Sequence, residues 1–489
     1  MNLATKSIGK IIGLLFLLET LSFLAYLFPG WQIIVFALLT LGFLVLASYR
    51  LEWGVLILLS ELFIGSKGYL FALNIGSLSL SIRIVFWLIV LAVWLVKFFR
   101  TWLVTKHCPL EDWRKIKVVK IYYWLAIFAF WGLMNGFWHH QSFSNLFFDF
   151  NGWIFFLLIF PLYSIFGASS VRKKNITNLK LVFWSSIIWL SIKTLFFLYV
   201  FSHNLYGLES LYLWLRKTGV GEITAAGGGF WRVFFQSHIY IVFGWLLLLV
   251  DLARNLQARV SRRQIINKLL LGTLLFSAII VSFSRSFWLG IIAALLFLAI
   301  VFWHKWGFKK ILINAGLWLV MLLASLLLMV LVIKFPVPKS VGSFNLNMLS
   351  NRVDLTGGES AISSRWALLS ALQVELTEAP FWGQGFGATV TYKSSDPRVL
   401  ASTADGSYTT FAFEWGYLDI WLKLGLLGLL TYLFLLFFLF KQGIKQGRLG
   451  LAAGILALAA INIFTPYLNH PLGITFILLS TWLLSEREI

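Results

Sequence analysis

Acidic side chains are scarce in this sequence: 19 Asp and Glu stand against 40 Lys and Arg in 489 residues, a formal net charge of +21. Charge of either sign is thin as well, at 12%, while 60% of residues are hydrophobic and 18% aromatic. A surface that must be wetted cannot be built from so few polar groups, and a mean hydropathy of +0.86 excludes a soluble globular domain. The single cysteine, Cys108, excludes a disulfide framework. Seven histidines, among them His139, His140 and His470, form no helix-spaced ligand set, and no acidic D-x-D pair occurs, so neither a metal site nor a cofactor is expected.

What is abundant is apolar sequence of membrane-spanning length, without the alternation of an outer-membrane strand. The expectation is an all-α, polytopic integral membrane bundle of about fourteen helices (12–14) with N and C termini cytoplasmic and one long extracytoplasmic loop. The predicted spans are 8–28, 31–48, 53–73, 80–98, 121–138, 148–167, 181–201, 233–251, 268–283, 287–303, 311–333, 413–440, 449–466 and 471–485. The first run, "IIGLLFLLETLSFLAYLF", follows Lys6 and Lys10, lacks a small-residue cleavage site and reads as a retained signal anchor.

Most basic residues fall in alternating connectors, as in "RKK" at 172–174 and Lys441, Lys445 and Arg448. That pattern follows the positive-inside rule, and no connector is long enough to form a nucleic-acid reading domain. The chain divides into N-terminal helices (1–231, with a short outer loop near 202–232), helices bearing outer-face arginines (232–333), a large extracytoplasmic loop (334–412) and C-terminal helices (413–489). In the large loop, "SSRWALLSALQVELTEAPFWGQGFG" carries a helix capped by Ser363 or Ser364. Pro380 ends that helix and glycines 383, 385 and 387 follow; an amphipathic helix on the outer membrane face is expected.

Four arginines break the topological rule: Arg285 in "VSFSRSFWLG", Arg232 in "GGGFWRVFFQSH", Arg365 in the loop helix and Arg83 in "LSIRIVFW". A cation in hydrocarbon costs about 2.5–3.5 kcal/mol at a helix centre on insertion scales, so each needs hydration or a partner. Snorkelling, or pairing with Glu414, Asp419 or Glu222, is one explanation. Together, however, guanidinium forks suit the oxygens of a diphosphate lipid. Synthesis on the outer side, where nucleotide sugars and ATP are lacking, requires a donor already carried across on lipid. Glu414, in "FEWGYLDIWLKLGLLG", then suits a general base that takes the proton of an attacking hydroxyl; a dipole-favoured helix acid or a salt bridge to Arg365 are its structural alternatives. Asp419 lies five residues on, about 140° around the helix, so the two carboxylates need not share a face. Asp419 and His238 are candidates for supporting the site from behind, His238 equally an ordinary hydrogen-bonded helix residue.

"SFSRSFWLG", "SSRWALL…EAPFWGQGFG", "EWGYLDIWLKLGLLG" and the late "TPYLNHPLG", in that order, resemble the O-antigen ligase and Wzy-type polymerase superfamily over roughly the C-terminal half. The resemblance implies a metal-independent, inverting glycosyltransferase of GT-C type in the bacterial inner membrane, acting in surface polysaccharide or O-antigen assembly. Its partners would be an undecaprenyl-diphosphate-linked glycan donor, a glycan or lipid-linked acceptor and membrane lipids. The family's phosphate-binding arginines carry over to Arg365 and Arg285, and after them to Arg232 and Arg83. In the ligases a histidine stands eleven residues before the first glycine of a G-x-x-G pair; Gly425 and Gly428 put Glu414 there instead. That departure favours a polymerase over a ligase acting on lipid A-core. A transporter of anions or lipid-linked glycans, or a non-catalytic assembly subunit, are the alternatives of other classes.

Overall fold

The computed structural model of the chain describes residues 2–75, 78–108, 113, 116–167, 172–226, 229–258, 260–344, 360–403 and 405–485. The 345–359 part of the expected long loop lies outside them. The first helices are α1 (Asn2–Leu27), α2 (Pro29–Tyr49), α3 (Leu51–Ile64), α4 (Ile82–Thr105), α5 (Lys117–Trp138), α6 (Phe143–Phe150), α7 (Ile159–Phe166) and α8 (Arg172–Ser202). After the short α9 (Leu208–Lys217) come α10 (His238–Gln257), α11 (Arg262–Val281), α12 (Arg285–Trp306) and α13 (Phe308–Ile333). The last four are α14 (Ser360–Glu378), α15 (Gly416–Lys445), α16 (Leu449–Ile461) and α17 (Pro471–Leu484). Three antiparallel hairpins interrupt them: β1 (Ala72–Ile75) with β2 (Leu78–Ser81), β3 (Glu222–Ala225) with β4 (Trp231–Phe234), and β5 (Val390–Lys393) with β6 (Ser407–Thr410).

Every predicted span contains helix, and among the described residues eleven helical segments are long and apolar enough to cross a membrane. The other three are short. The span predicted at 53–73 is corrected: α3 stops at Ile64, where Ser66 (φ 49°) and Gly68 (φ 91°) turn the chain into the β1–β2 hairpin. The span predicted at 148–167 is composite, with a 3-10 turn (Trp153–Leu158) joining α6 to α7. The connector at 202–232 is not plain loop but holds α9 and β3.

α10 is buried on nearly all sides and packs against α8, α11 and α16. Outer helices turn leucine and isoleucine outward: Leu17, Ile33, Leu38, Leu327 and Leu331 are exposed. Such continuous apolar surface is stable only against hydrocarbon.

The two ends of the bundle differ. At one, connectors from distant parts of the chain join: Gln236 N–H donates to Ser66 Oγ (3.1 Å), Gly342 N–H to Ser202 O (2.8 Å) and Ser343 N–H to Gly229 O (3.4 Å). At the other end gather basic connectors, where Arg172 Nη2 donates to Trp482 O (2.9 Å) and Arg254 to Gly447 O. Gln446 bonds Leu484 O, which sets the ends of α15 and α17 level there. With 13 and 14 residues, α16 and α17 rise only about 20 Å, short of a hydrocarbon core of about 30 Å. The turn at 462–470 between them is therefore recessed by about 10 Å within the bundle.

Candidate active site

The site is organised by a break in α15. Gly425 has φ 72° and ψ 175°, a region open essentially to glycine alone, and it divides the helix into two rods. Non-helical backbone at membrane depth must find partners within the protein. Residues 379–387, which follow α14, supply them by inserting between α5 and α15. Gln384 N–H donates to Leu422 O (2.6 Å), Leu426 N–H to Pro380 O (3.1 Å) and Trp421 Nε1 to Pro380 O (2.6 Å). On the α5 side, Asn135 Nδ2 donates to Gly383 O (2.8 Å) and Phe386 N–H to Gly132 O (2.9 Å). A Cβ on Gly385 (φ 88°) would strike the backbone of Gly136, so the approach depends on glycine at both positions.

The insertion ends on a buried charge cluster. Gly387 N–H donates to Asp149 Oδ2 (2.9 Å), and Asp149 Oδ1 meets Lys423 Nζ at 2.5 Å. Lys423 also pairs with Asp419 one turn earlier on α15, and Asn469 Nδ2 donates to Asp419. These three charged side chains are less than a tenth exposed. The ammonium also lies 5.3 Å from the Phe413 ring centroid.

A recessed cavity of about 330 Å³ opens beside the cluster, walled by Asp149, Asp419, Lys423, Asn469, Gln236 and Phe413. Lys67, Arg83 and His470 also face it. Arg83 is fully engaged: its Nε donates to Glu61 Oε2 (2.6 Å), Nη2 to Glu61 Oε1 (3.1 Å) and Nη1 to Ser66 O (2.7 Å). Burial, with Arg83 and Lys67 nearby, pushes the His470 imidazole down to about 3. Its Nδ1 accepts from Leu472 N–H (3.3 Å) and caps α17, which leaves the proton of the neutral ring on Nε2. Among the described residues, Asn469 Oδ1 and Gln236 Oε1 are buried acceptors with no hydrogen-bond partner.

A second, apolar groove of about 700 Å³ runs between α14 and the start of α15, past Leu369, Leu376, Trp415, Leu418 and Trp421. α14 packs Leu368, Leu372 and Leu376 against Val390, Phe413 and Leu422, a small core separate from the main one. The exposed side of α14 is mixed, with Trp366 and Val374 among Ser370, Gln373, Thr377 and Glu378.

The strap at 411–415 divides cavity from groove. Phe411, Ala412 and Phe413 line the cavity and Trp415 the groove; Glu414, between them in sequence, lines neither space. Glu414 accepts from Arg365 Nε, and Trp415 Nε1 donates to Arg365 O (3.0 Å). Trp415 also lies 5.2 Å from the Phe464 ring, and the next residue, Thr465, donates to Ser286 Oγ (2.9 Å) beside Arg285. Arg232 Nε donates to Ser282 O (2.8 Å) in the turn preceding Arg285.

Thus Glu414 meets Arg365, and Arg232 meets the turn that leads to Arg285. Asp419 turns away from Glu414 toward Lys423. Arg83 reaches the cavity wall with Glu61 filling its fork. His238 is buried at the α8–α10 contact, bonded to Thr194 Oγ1 (2.8 Å), and lines neither space. Lys423, Asp149, Asn469 and Gln236 were not singled out by sequence. Lys423 carried a usable signal: a lysine one turn after an aspartate inside an apolar helix.

The eleven long apolar helices among the described residues and a recessed, charge-lined cavity define a multi-pass membrane protein with a polar site at one end of its bundle. Residues 270–433 match the family model described as O-Antigen ligase, and with the apolar helices this match supports a glycan-handling membrane enzyme of O-antigen assembly. The matched stretch contains Arg285, Arg365, Glu414, Asp419, Lys423 and Gly425. No curated protein matches the chain.

Proposed function

We propose that the chain transfers a glycan from undecaprenyl diphosphate to a sugar hydroxyl at the outer face of the bacterial inner membrane, extending a polysaccharide as a polymerase. The observation that carries this reading is the position of Glu414 on the strap between an apolar groove and a polar cavity, in contact with Arg365. The groove suits an isoprenyl chain, and the hairpin-bearing end of the bundle faces outward because the basic connectors gather at the other.

In the proposed reaction Glu414 takes the proton of the acceptor hydroxyl while the oxygen attacks the anomeric carbon from the face opposite the leaving group. The bond from that carbon to the phosphate oxygen breaks, its electron pair leaves with undecaprenyl diphosphate, and the anomeric centre inverts. Arg285 and Arg365 hold the departing charge, with Arg232 behind the Arg285 turn. Among the described residues Arg365 engages Glu414 through Nε alone, which leaves its terminal nitrogens to phosphate. Ligation of the glycan to a lipid core is the second reading, supported by the description of the matching family.

The test is transfer from purified undecaprenyl-diphosphate-linked repeat by the purified protein. A ladder of lengthening products with release of undecaprenyl diphosphate supports the polymerase; a single addition to a lipid core acceptor supports the ligase. Unchanged donor with either acceptor overturns transfer.

A further inference from the structure

We propose that the recessed cavity is a carbohydrate site that holds a sugar ring of the acceptor glycan through the side chains of Asp149, Asp419, Asn469 and Gln236. The proposal rests on the transferase reading and adds to it the substrate that occupies this space.

The wall chemistry selects the ligand. A sugar presents many hydroxyl donors and an apolar C–H face. The cavity wall holds the carboxylates of Asp149 and Asp419, the amides of Asn469 and Gln236, whose buried oxygens have no partner among the described residues, and the half-buried ring of Phe411. Such oxygens are stabilised by a donor that arrives with the substrate.

A phosphate is poorly suited to the same space. The Arg83 fork is closed by Glu61 and by Ser66 O, His470 is neutral, and Lys423 is already shared by two carboxylates that would repel an anion. Lys67 is the remaining cation facing the cavity among the described residues. Diphosphate and sugar thus fall on different sides of the strap, which puts an acceptor hydroxyl and the donor's anomeric carbon on either side of the segment that carries Glu414. At about 330 Å³ the cavity lies in the range of small-ligand sites.

Asn469 is fixed by its bond to Asp419, and Asp419 by Lys423, so the acceptor oxygens are oriented before the sugar arrives. Asp149 further ties this wall to Gly387, at the end of the segment inserted beside the α15 break.

The test is saturation-transfer difference NMR on the full chain in a sugar-free amphipol, with methyl α-glucoside, methyl α-galactoside, methyl α-mannoside and methyl α-rhamnoside as probes. The expected result is ring-proton saturation for at least one probe. Gln236→Leu and Asn469→Leu should each weaken its binding about tenfold, the equivalent of one lost hydrogen bond. Gln257→Leu, at the opposite end of the bundle, should leave it unchanged. Absence of saturation for all four probes, or equal saturation in native protein and both cavity variants, overturns the proposal. Because the readout needs no turnover, sugar binding without transfer would contradict the transferase reading while supporting the cavity assignment, and transfer without sugar binding would do the reverse.

Discussion

Arg365 donates its Nε–H to the carboxylate of Glu414, joining α14 to the strap just before α15. Both side chains are substantially exposed, so the pair contributes little to stability, on the order of 0–1 kcal/mol. Its consequence is geometric: a candidate base and a candidate phosphate ligand are held together next to Trp415, which lines the apolar groove. A neutral Arg365→Gln variant should unfold within about 1 kcal/mol of native protein while losing transfer. Loss of both together would make the pair structural.

Donor binding should depend on the arginines. One charge-assisted hydrogen bond is worth about 1.5–3 kcal/mol, so Arg285→Ala should weaken undecaprenyl diphosphate binding by about 10- to 150-fold. Titration of the lipid against native and variant protein in nanodiscs gives the ratio. An unchanged Kd would remove Arg285 from the diphosphate site.

Lys423 neutralises two buried carboxylates, and its removal leaves both without their cation. Lys423→Met should cost about 3–5 kcal/mol, read as a lower denaturation midpoint in detergent. Adding Asp149→Asn and Asp419→Asn should recover most of the loss. A single variant as stable as native protein would mean that the cluster is not ionised as drawn.

The break in α15 should tolerate only glycine. Gly425→Ala adds a Cβ that collides with the Phe381 carbonyl oxygen in a backbone region costing about 1–3 kcal/mol for other residues. Stability should fall, and residues 379–387 should become accessible to protease. Gly316→Ala, in a helix with open space around the added carbon, is the matched control and should be neutral or slightly stabilising.

His470 gives a pH dependence of defined sign. Its folded pKa of about 3 lies below the ordinary 6.5, so on acidification the unfolded chain takes up a proton first. The stability it contributes is complete above about pH 6.5 and is lost as pH falls toward 3, at up to about 1.4 kcal/mol per pH unit. His470→Asn, which retains a capping acceptor, should flatten that part of the Tm profile between pH 7.5 and 4.5. Parallel profiles would show the imidazole to be hydrated.

Local signals carried the fold a long way. Each apolar run became helix, Pro380 and its glycines marked the end of α14, and Glu414 and Arg365 were candidates before their contact was visible. What the sequence concealed depends on distant partners. Glu61, in the last turn of α3, binds Arg83 at the start of α4. The glycines at 383, 385 and 387 serve close insertion between two helices more than a surface turn. Charges judged by position against topology drew attention to arginines, whereas Lys423, 274 residues from Asp149, acquires meaning only once α6 and α15 meet.

The central claim is tested most directly by the rate of glycan transfer in Glu414→Gln, measured beside its affinity for undecaprenyl diphosphate. Removing a general base should lower the rate by about 10²- to 10⁴-fold while donor binding stays near native. Transfer at the native rate would contradict the account and leave Glu414 only as the partner of Arg365.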